Sequence, residues 1–89
     1  MQDILIEIKY FLERKYKVEN ISVVFGYQCE IPVQLIFRLD YHSVPVIMEF
    51  MVDEIMQTEK EMGRIATMQI FDNSIKKMIE KIKHDYPEL

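Results

Sequence analysis

The sequence predicts an α+β fold, in which a three-stranded antiparallel meander lies between an N-terminal helix and one long or two shorter C-terminal helices. Between Ile21 and Asp53, apolar residues recur at every second position, as in strands that bury one face. Before Lys17 and after Asp53, apolar residues instead recur every three or four positions, as on the buried face of a helix. The 89 residues are therefore expected to form a single domain, residues 1–89.

The composition limits the classes of protein to consider. With 49% apolar residues the chain has a globular composition, although a domain this short buries only about 60% of the surface that its unfolded chain exposes. A single cysteine cannot form an intramolecular disulfide, and Asp3 and Glu7 stand where a signal peptide would carry basic residues. Charge interrupts every apolar stretch well before the ~18 residues of a membrane span. We therefore expect a cytoplasmic protein without membrane association.

The first predicted helix is amphipathic. Its apolar face consists of Ile4, Leu5, Ile8, Phe11, Leu12 and Tyr16. Its last turn carries the basic residues Arg14, Lys15 and Lys17, whose charge is favourable at the negative end of the helix dipole. This segment is expected to pack its apolar face on the sheet.

The three predicted strands differ in which positions are apolar. The first has its core face at the odd positions Ile21, Val23, Phe25, Tyr27 and Cys29. The second has its core face at the odd positions Val33, Leu35, Phe37 and Leu39. The third has its core face at the even positions Val44, Val46, Met48, Phe50 and Val52. Because paired residues share a face, the first hairpin needs an odd loop, such as residues 28–30, and the second an even loop, such as residues 40–43.

The C-terminal region is predicted to be helical from Thr58, because Thr58 and Glu61 have the spacing of a capping box. One apolar stripe is formed by Met62, Ile65, Ala66 and Ile70. The opposite stripe is formed by Met68, Phe71, Ile75, Met78, Ile79, Ile82 and Tyr86. A break around Gly63 or at residues 72–74 explains this change of face, as does a single long helix that buries one stripe on a neighbouring chain. A fourth strand over residues 64–71 is the third interpretation.

The residue types that support catalysis are sparse. Cys29 and His42 would suggest a nucleophile and its base, but the meander places their two turns at opposite ends of the sheet, about 25–30 Å apart. No histidine has a second ligand at zinc-site spacing, and Gly26 and Gly63 are isolated, so neither a metal site nor a phosphate loop is predicted. We expect no enzymatic activity, no catalytic residue and no cofactor.

The sheet face away from the predicted core is unusually apolar. Val24, Ile36, Ile47 and Met51 alternate onto this face and would form a patch, whereas a solvated face of an antiparallel sheet is normally polar. Either the segment from residue 54 to 71 covers the patch, or another chain does. The first hypothesis is a non-enzymatic protein-interaction module that self-associates through this face or through the phase-shifted helix. Its candidate interface residues are Val24, Ile36, Arg38, Ile47 and Met51.

A second hypothesis is nucleic-acid binding. The order helix, three strands, helix, with Lys76 and Lys77 near the start of the last helix, resembles that of the double-stranded RNA-binding domain. This resemblance implies phosphate contacts from Lys76, Lys77 and Lys81. Residues 20–71, however, hold three basic and seven acidic side chains, a balance that repels phosphate. A protein partner, most simply a second copy of the chain, is therefore expected before a nucleic acid.

Overall fold

The computed structural model describes residues 3–26 and 31–87, which form three helices and a three-stranded sheet. The helices are α1 (Asp3–Lys15), α2 (Val52–Met62) and α3 (Arg64–Asp85). The strands are β1 (Ile21–Phe25), β2 (Pro32–Tyr41) and β3 (Val44–Met51), which pair antiparallel in the order β1-β2-β3. The predicted α+β layout is confirmed, with two C-terminal helices rather than one.

All three helices pack on the same face of the sheet, called here the inner face. The buried residues that form this core are Ile4, Leu5, Ile8, Leu12, Val18, Leu35, Phe37, Leu39, Met48, Val52, Ile55, Phe71 and Ile75. They include members of the predicted apolar face of α1, of the odd positions of β2 and of the second apolar stripe of the C-terminal region, although Tyr86 of that stripe is 53% exposed. The helix α1 and the strands β2 and β3 therefore bury the faces that their periodicity predicted.

The pairing of β2 with β3 confirms the predicted change of parity. Leu35 lies opposite Phe50, and Leu39 lies opposite Val46, so odd and even positions share the inner face. The loop is even, as required, but has two residues instead of four. His42 and Ser43 form it with positive φ angles of 47° and 68°, which is the type I′ turn that matches the twist of a tight hairpin.

The alternation predicted for β1 holds only as far as Val24. Ile21 and Val23 are half-buried beside the core, but the register shifts after Val24, so that Phe25 pairs with Pro32 and Val33 is left out of the ladder. Phe25 is 53% exposed, contrary to its predicted place in the core, because a bulge locally breaks the alternation. The predicted core positions Tyr27 and Cys29, and the loop at residues 28–30, lie outside the described residues.

The C-terminal region breaks at Gly63. The backbone there has φ 87° and ψ 170°, whereas residues 72–74 continue α3 without interruption and residues 64–71 are helical rather than a strand. The predicted start at Thr58 is wrong, because α2 begins at Val52, directly after β3. The Thr58 hydroxyl donates to the Glu54 carbonyl, 2.8 Å away, a bond typical of threonine inside a helix.

One carboxylate connects α1 to α3. Asp72 accepts hydrogen bonds from Lys15 Nζ at 2.7 Å, from the Tyr16 hydroxyl, and from Lys76 Nζ at 3.2 Å. Its side chain is only 14% exposed. Burial by itself would raise the pKa of Asp72, but these three donors outweigh it and hold the pKa below its ordinary value. Burial, together with the hydrogen bond and the charge of Asp72, raises the pKa of Tyr16. These contacts fix the position of α1 relative to α3.

We predict that Gly63→Ala destabilises the protein by about 1–3 kcal/mol, because a positive φ with extended ψ is accessible almost only to glycine. The new Cβ would meet no atom within 4 Å, so the loss is conformational rather than steric. Urea denaturation followed by circular dichroism measures it. Asn73→Ala, at an exposed position inside α3, is the control and should be neutral or slightly stabilising. A continuous helix across Gly63 would instead make Gly63→Ala stabilising by about 0.5–1 kcal/mol.

We predict that Asp72→Asn lowers the free energy of unfolding at pH 7 by about 1–2 kcal/mol. Because the pKa of Asp72 is lower in the folded state, its contribution is complete above the unfolded value of about 3.9 and is lost as the pH falls from there toward the folded value. Denaturation at a series of acidic pH values should therefore show a shallower loss of stability for Asp72→Asn than for the parent. Asp40→Asn, which removes an exposed ion pair with Arg38, is the control and should change stability by less than about 0.5 kcal/mol. Equal pH slopes for the parent and Asp72→Asn would contradict the prediction.

Candidate interaction surface

The sheet face opposite the core, called here the outer face, is not covered by any helix of the described chain. Residues 52–85 contribute to the inner core through Val52, Ile55, Phe71 and Ile75, so they do not cross to the other side. On the outer face Ile47 is 59% exposed, Val24 and Met51 are each 41% exposed, and Ile36 is half-buried. The sequence left two possibilities for covering this face, the segment from residue 54 to 71 or another chain. Among the described residues, that segment does not cover it.

The strand register gathers the predicted patch around Ile36. This residue lies directly between Ser22 of β1 and Glu49 of β3. Val24, Met51 and Ile47 occupy three of its four diagonal positions, because Val24 and Met51 both lie opposite Gln34, and Ile47 lies opposite Arg38. Diagonal neighbours across paired strands are within reach of long side chains. The four apolar side chains are therefore diagonal neighbours centred on Ile36, and we call this group the outer patch.

Polar pairs lie among and beside the residues of the outer patch. Gln34 Nε2 donates to Glu49 Oε2 at 3.3 Å, and Arg38 Nε donates to Asp40 Oδ1 at 2.9 Å. Both groups of the Arg38–Asp40 pair are more than half exposed, so the pair contributes little to folding. An apolar centre surrounded by solvated polar groups is the usual anatomy of a protein interface.

The first C-terminal stripe is also exposed. Met62 and Ile70 are largely accessible and Ile65 is 79% exposed, while Ala66 is half-buried. These residues lie on different sides of the helices, because Ile65 borders a groove with Phe11 of α1 and Ile70 borders a cleft with α2. The residues of this first stripe therefore border two separate concave surfaces and do not form one continuous stripe.

The cleft beside Ile70 was not predicted. It has a volume of about 130 Å³ and lies between the end of β3, the first half of α2 and α3. Its apolar lining comes from Phe50, Met51, Ile55, Ile70 and Phe71. Neighbouring residues of a strand point to opposite faces, so a cleft lined by both Phe50 and Met51 opens at the border of the sheet. Periodicity assigns a residue to a face and carries no information about such a gap.

The three candidate lysines do not stand at a helix start. α3 begins at Arg64, so Lys76, Lys77 and Lys81 lie in its middle and second half, contrary to the sequence-based placement. Lys76 is held by Asp72, while Lys77 and Lys81 are exposed and one turn apart. The structure therefore does not reproduce the basic helix start on which the likeness to the double-stranded RNA-binding domain rested.

The sequence raised two residues with catalytic chemistry. His42 is exposed in the β2–β3 turn, and Cys29 lies outside the described residues. Among residues 3–26 and 31–87, no three histidine, cysteine, aspartate or glutamate side chains are grouped so as to hold a metal ion. Within the same residues, no helix has the length and apolar character that crossing a membrane requires.

No protein-family model, no curated protein and no solved structure matches the chain. Its function is therefore inferred from its own surfaces.

Proposed function

We propose that this protein is a non-enzymatic interaction module that self-associates by packing its outer face against the outer face of a second copy. The observation that supports this proposal is the exposure of the outer patch, four neighbouring apolar side chains on a sheet whose other face holds the three helices of residues 3–26 and 31–87. A second copy supplies a surface of the same shape and apolar character. Two sheets packed in this way would bury the patch at a separation of about 10 Å.

The outer face is compatible with two-fold symmetry. An axis that passes over Ile36 and runs across the strands sets Ile36 against Ile36 of the second copy. Gln34 and Arg38 lie two positions to either side of Ile36, so the same axis sets Gln34 against Arg38 of the second copy. Met51 and Ile47 lie two positions to either side of Glu49, which pairs with Ile36, so the axis also sets Met51 against Ile47 of the second copy. Such an isologous arrangement closes on itself as a dimer.

The area of the face limits the strength of this dimer. Three strands spaced about 4.8 Å apart, over about eight residues of 3.3 Å, give a footprint of roughly 350 Å². Stable interfaces bury about 800 Å² on each partner. We therefore expect a reversible dimer rather than an obligate one.

We predict that Ile36→Lys combined with Ile47→Lys abolishes self-association without unfolding the chain. Both side chains lie on the outer face, so two charges there repel their counterparts in the second copy and leave the core intact. Sedimentation equilibrium over a range of micromolar concentrations measures the association, and circular dichroism measures the fold. The matched control is Ile65→Lys, which adds charge at the most exposed large apolar residue of another surface.

Equal dimerisation of the parent and of the doubly substituted protein would refute the proposed interface. A parent that stays monomeric throughout the concentration range would refute self-association itself. Unfolding of the double variant would contradict the assignment of Ile36 and Ile47 to a surface outside the core.

The proposed axis makes a second prediction. In a Cys29→Ser background, Ile36→Cys places one thiol of each copy beside the axis. Sheets about 10 Å apart are too distant for a direct disulfide, so a short bifunctional maleimide should give a covalent dimer in high yield. Ile65→Cys in the same background is the control for random collision and should cross-link slowly. Non-reducing electrophoresis at matched concentrations compares the two rates. Equal rates would exclude an axis over Ile36.

A further inference from the structure

The cleft between β3, α2 and α3 has features of a ligand site separate from the outer patch. Its floor is apolar and its volume of about 130 Å³ is close to that of an apolar cavity of about 150 Å³ that holds one benzene molecule. The cleft therefore matches a single branched aliphatic or aromatic side chain. Ile70, on its rim, is largely accessible, so an incoming group reaches the floor without moving a buried residue.

The hydroxyl groups around the cleft are already engaged. Thr58 donates to the carbonyl of Glu54, Thr67 to that of Gly63 at 2.7 Å, and Ser74 to that of Ile70 at 3.1 Å. Each bond lies within a helix or at its first turn, so these hydroxyl hydrogens are not offered to a ligand. A polar occupant that needs donors would lose hydrogen bonds to water without replacing them. The lining therefore favours an apolar occupant.

An acidic shelf adjoins the cleft. Asp53, Glu54, Gln57 and Thr58 line a second, shallower depression that shares Glu54 and Thr58 with it. Asp53 and Glu54 are exposed and make no ion pair with any residue in the described ranges 3–26 and 31–87. Their charges are favourable at the N-terminus of α2, and both carboxylates face solvent. An occupant that carries positive charge next to its apolar group would complement this shelf.

We propose that this cleft binds a basic peptide segment of a partner protein. One leucine, methionine or phenylalanine of the segment fills the space beside Ile55 and Ile70, and a neighbouring lysine or arginine contacts Glu54 and Asp53. The site is independent of the proposed self-association, although Met51 belongs to both surfaces. The apolar floor favours the apolar side chain of such a segment, and the acidic shelf favours its basic side chain.

The test uses the full chain labelled with ¹⁵N and a capped pentapeptide of glycine, lysine, leucine, lysine and serine. Titration to millimolar peptide should give saturable amide shifts at Ile55, Thr58, Ile70 and Ser74. A peptide with serine in place of leucine, and one with glutamate in place of both lysines, are the matched ligands. Each should bind at least about tenfold more weakly, since one removes the apolar anchor and the other reverses the charge.

Two variants locate the site. Ile70→Trp should fill the cleft and reduce affinity at least about tenfold, whereas Ile65→Trp, on the other side of α3, should leave it unchanged. Asp53→Asn with Glu54→Gln should weaken binding about fivefold and flatten its salt dependence, and Glu80→Gln should not. The same titration on the Ile36→Lys, Ile47→Lys protein should be unaffected, which separates this proposal from self-association.

Three results would overturn the proposal. One is the absence of shifts at millimolar peptide. Another is a set of shifts spread over the acidic surface that is the same for the leucine and serine peptides, since this shows charge attraction alone. The third is full binding by Ile70→Trp, which would place the peptide elsewhere.

Discussion

The arrangement of the whole chain depends on the packing of the Phe71 ring. This side chain of α3 lies 4.5 Å from the ring of Phe50 and 6.2 Å from that of Phe37, centroid to centroid, and 6.3 Å from that of Phe11 in α1. Buried aromatic pairs at these distances each add about 0.5–1.5 kcal/mol beyond their area. Because one ring packs beside residues of two strands and of the first helix, it holds both α1 and α3 on the inner face. Asp72, the next residue, secures the same pair of elements through Lys15 and Tyr16.

The packing of the helices on the inner face determines what covers the outer face. Residues 3–26 and 31–87 form three helices, and a domain of this size buries only a limited fraction of its surface. Packing all three on the inner face leaves none of these helices for the outer face. The outer patch lies on the sheet face that these helices leave open. We propose self-association as the reason that Ile36 and Ile47 are apolar there.

Periodicity predicted the faces of the structure well, because the alternation of side chains follows directly from strand geometry. It placed Leu35, Phe37 and Met48 inside and Ile47 outside. It also gave Gly63 as one of two candidate positions for a break in the helical region, and the break is there. It misplaced Phe25, because a bulge depends on pairing with the facing strand and not on local alternation. It also placed the start of the helix at Thr58, although the Thr58 hydroxyl donates to a carbonyl within the helix and caps no helix start. The Asp72 contacts join residues 56 and 57 positions apart. No local pattern identifies such a pair.

The two surfaces differ in charge and meet at one residue. The outer face carries one basic group, Arg38, and two acidic groups, Asp40 and Glu49, whereas the cleft borders the acidic groups Asp53 and Glu54. A face with both signs of charge can set opposite charges of two copies against each other, while a purely acidic surface repels a copy of itself and attracts a basic segment. Met51 lines the cleft and belongs to the outer patch, so it is the residue at which the two proposed sites meet. Any thermodynamic coupling between peptide binding and self-association would therefore act through Met51, and each ligand would change the affinity for the other by the same factor.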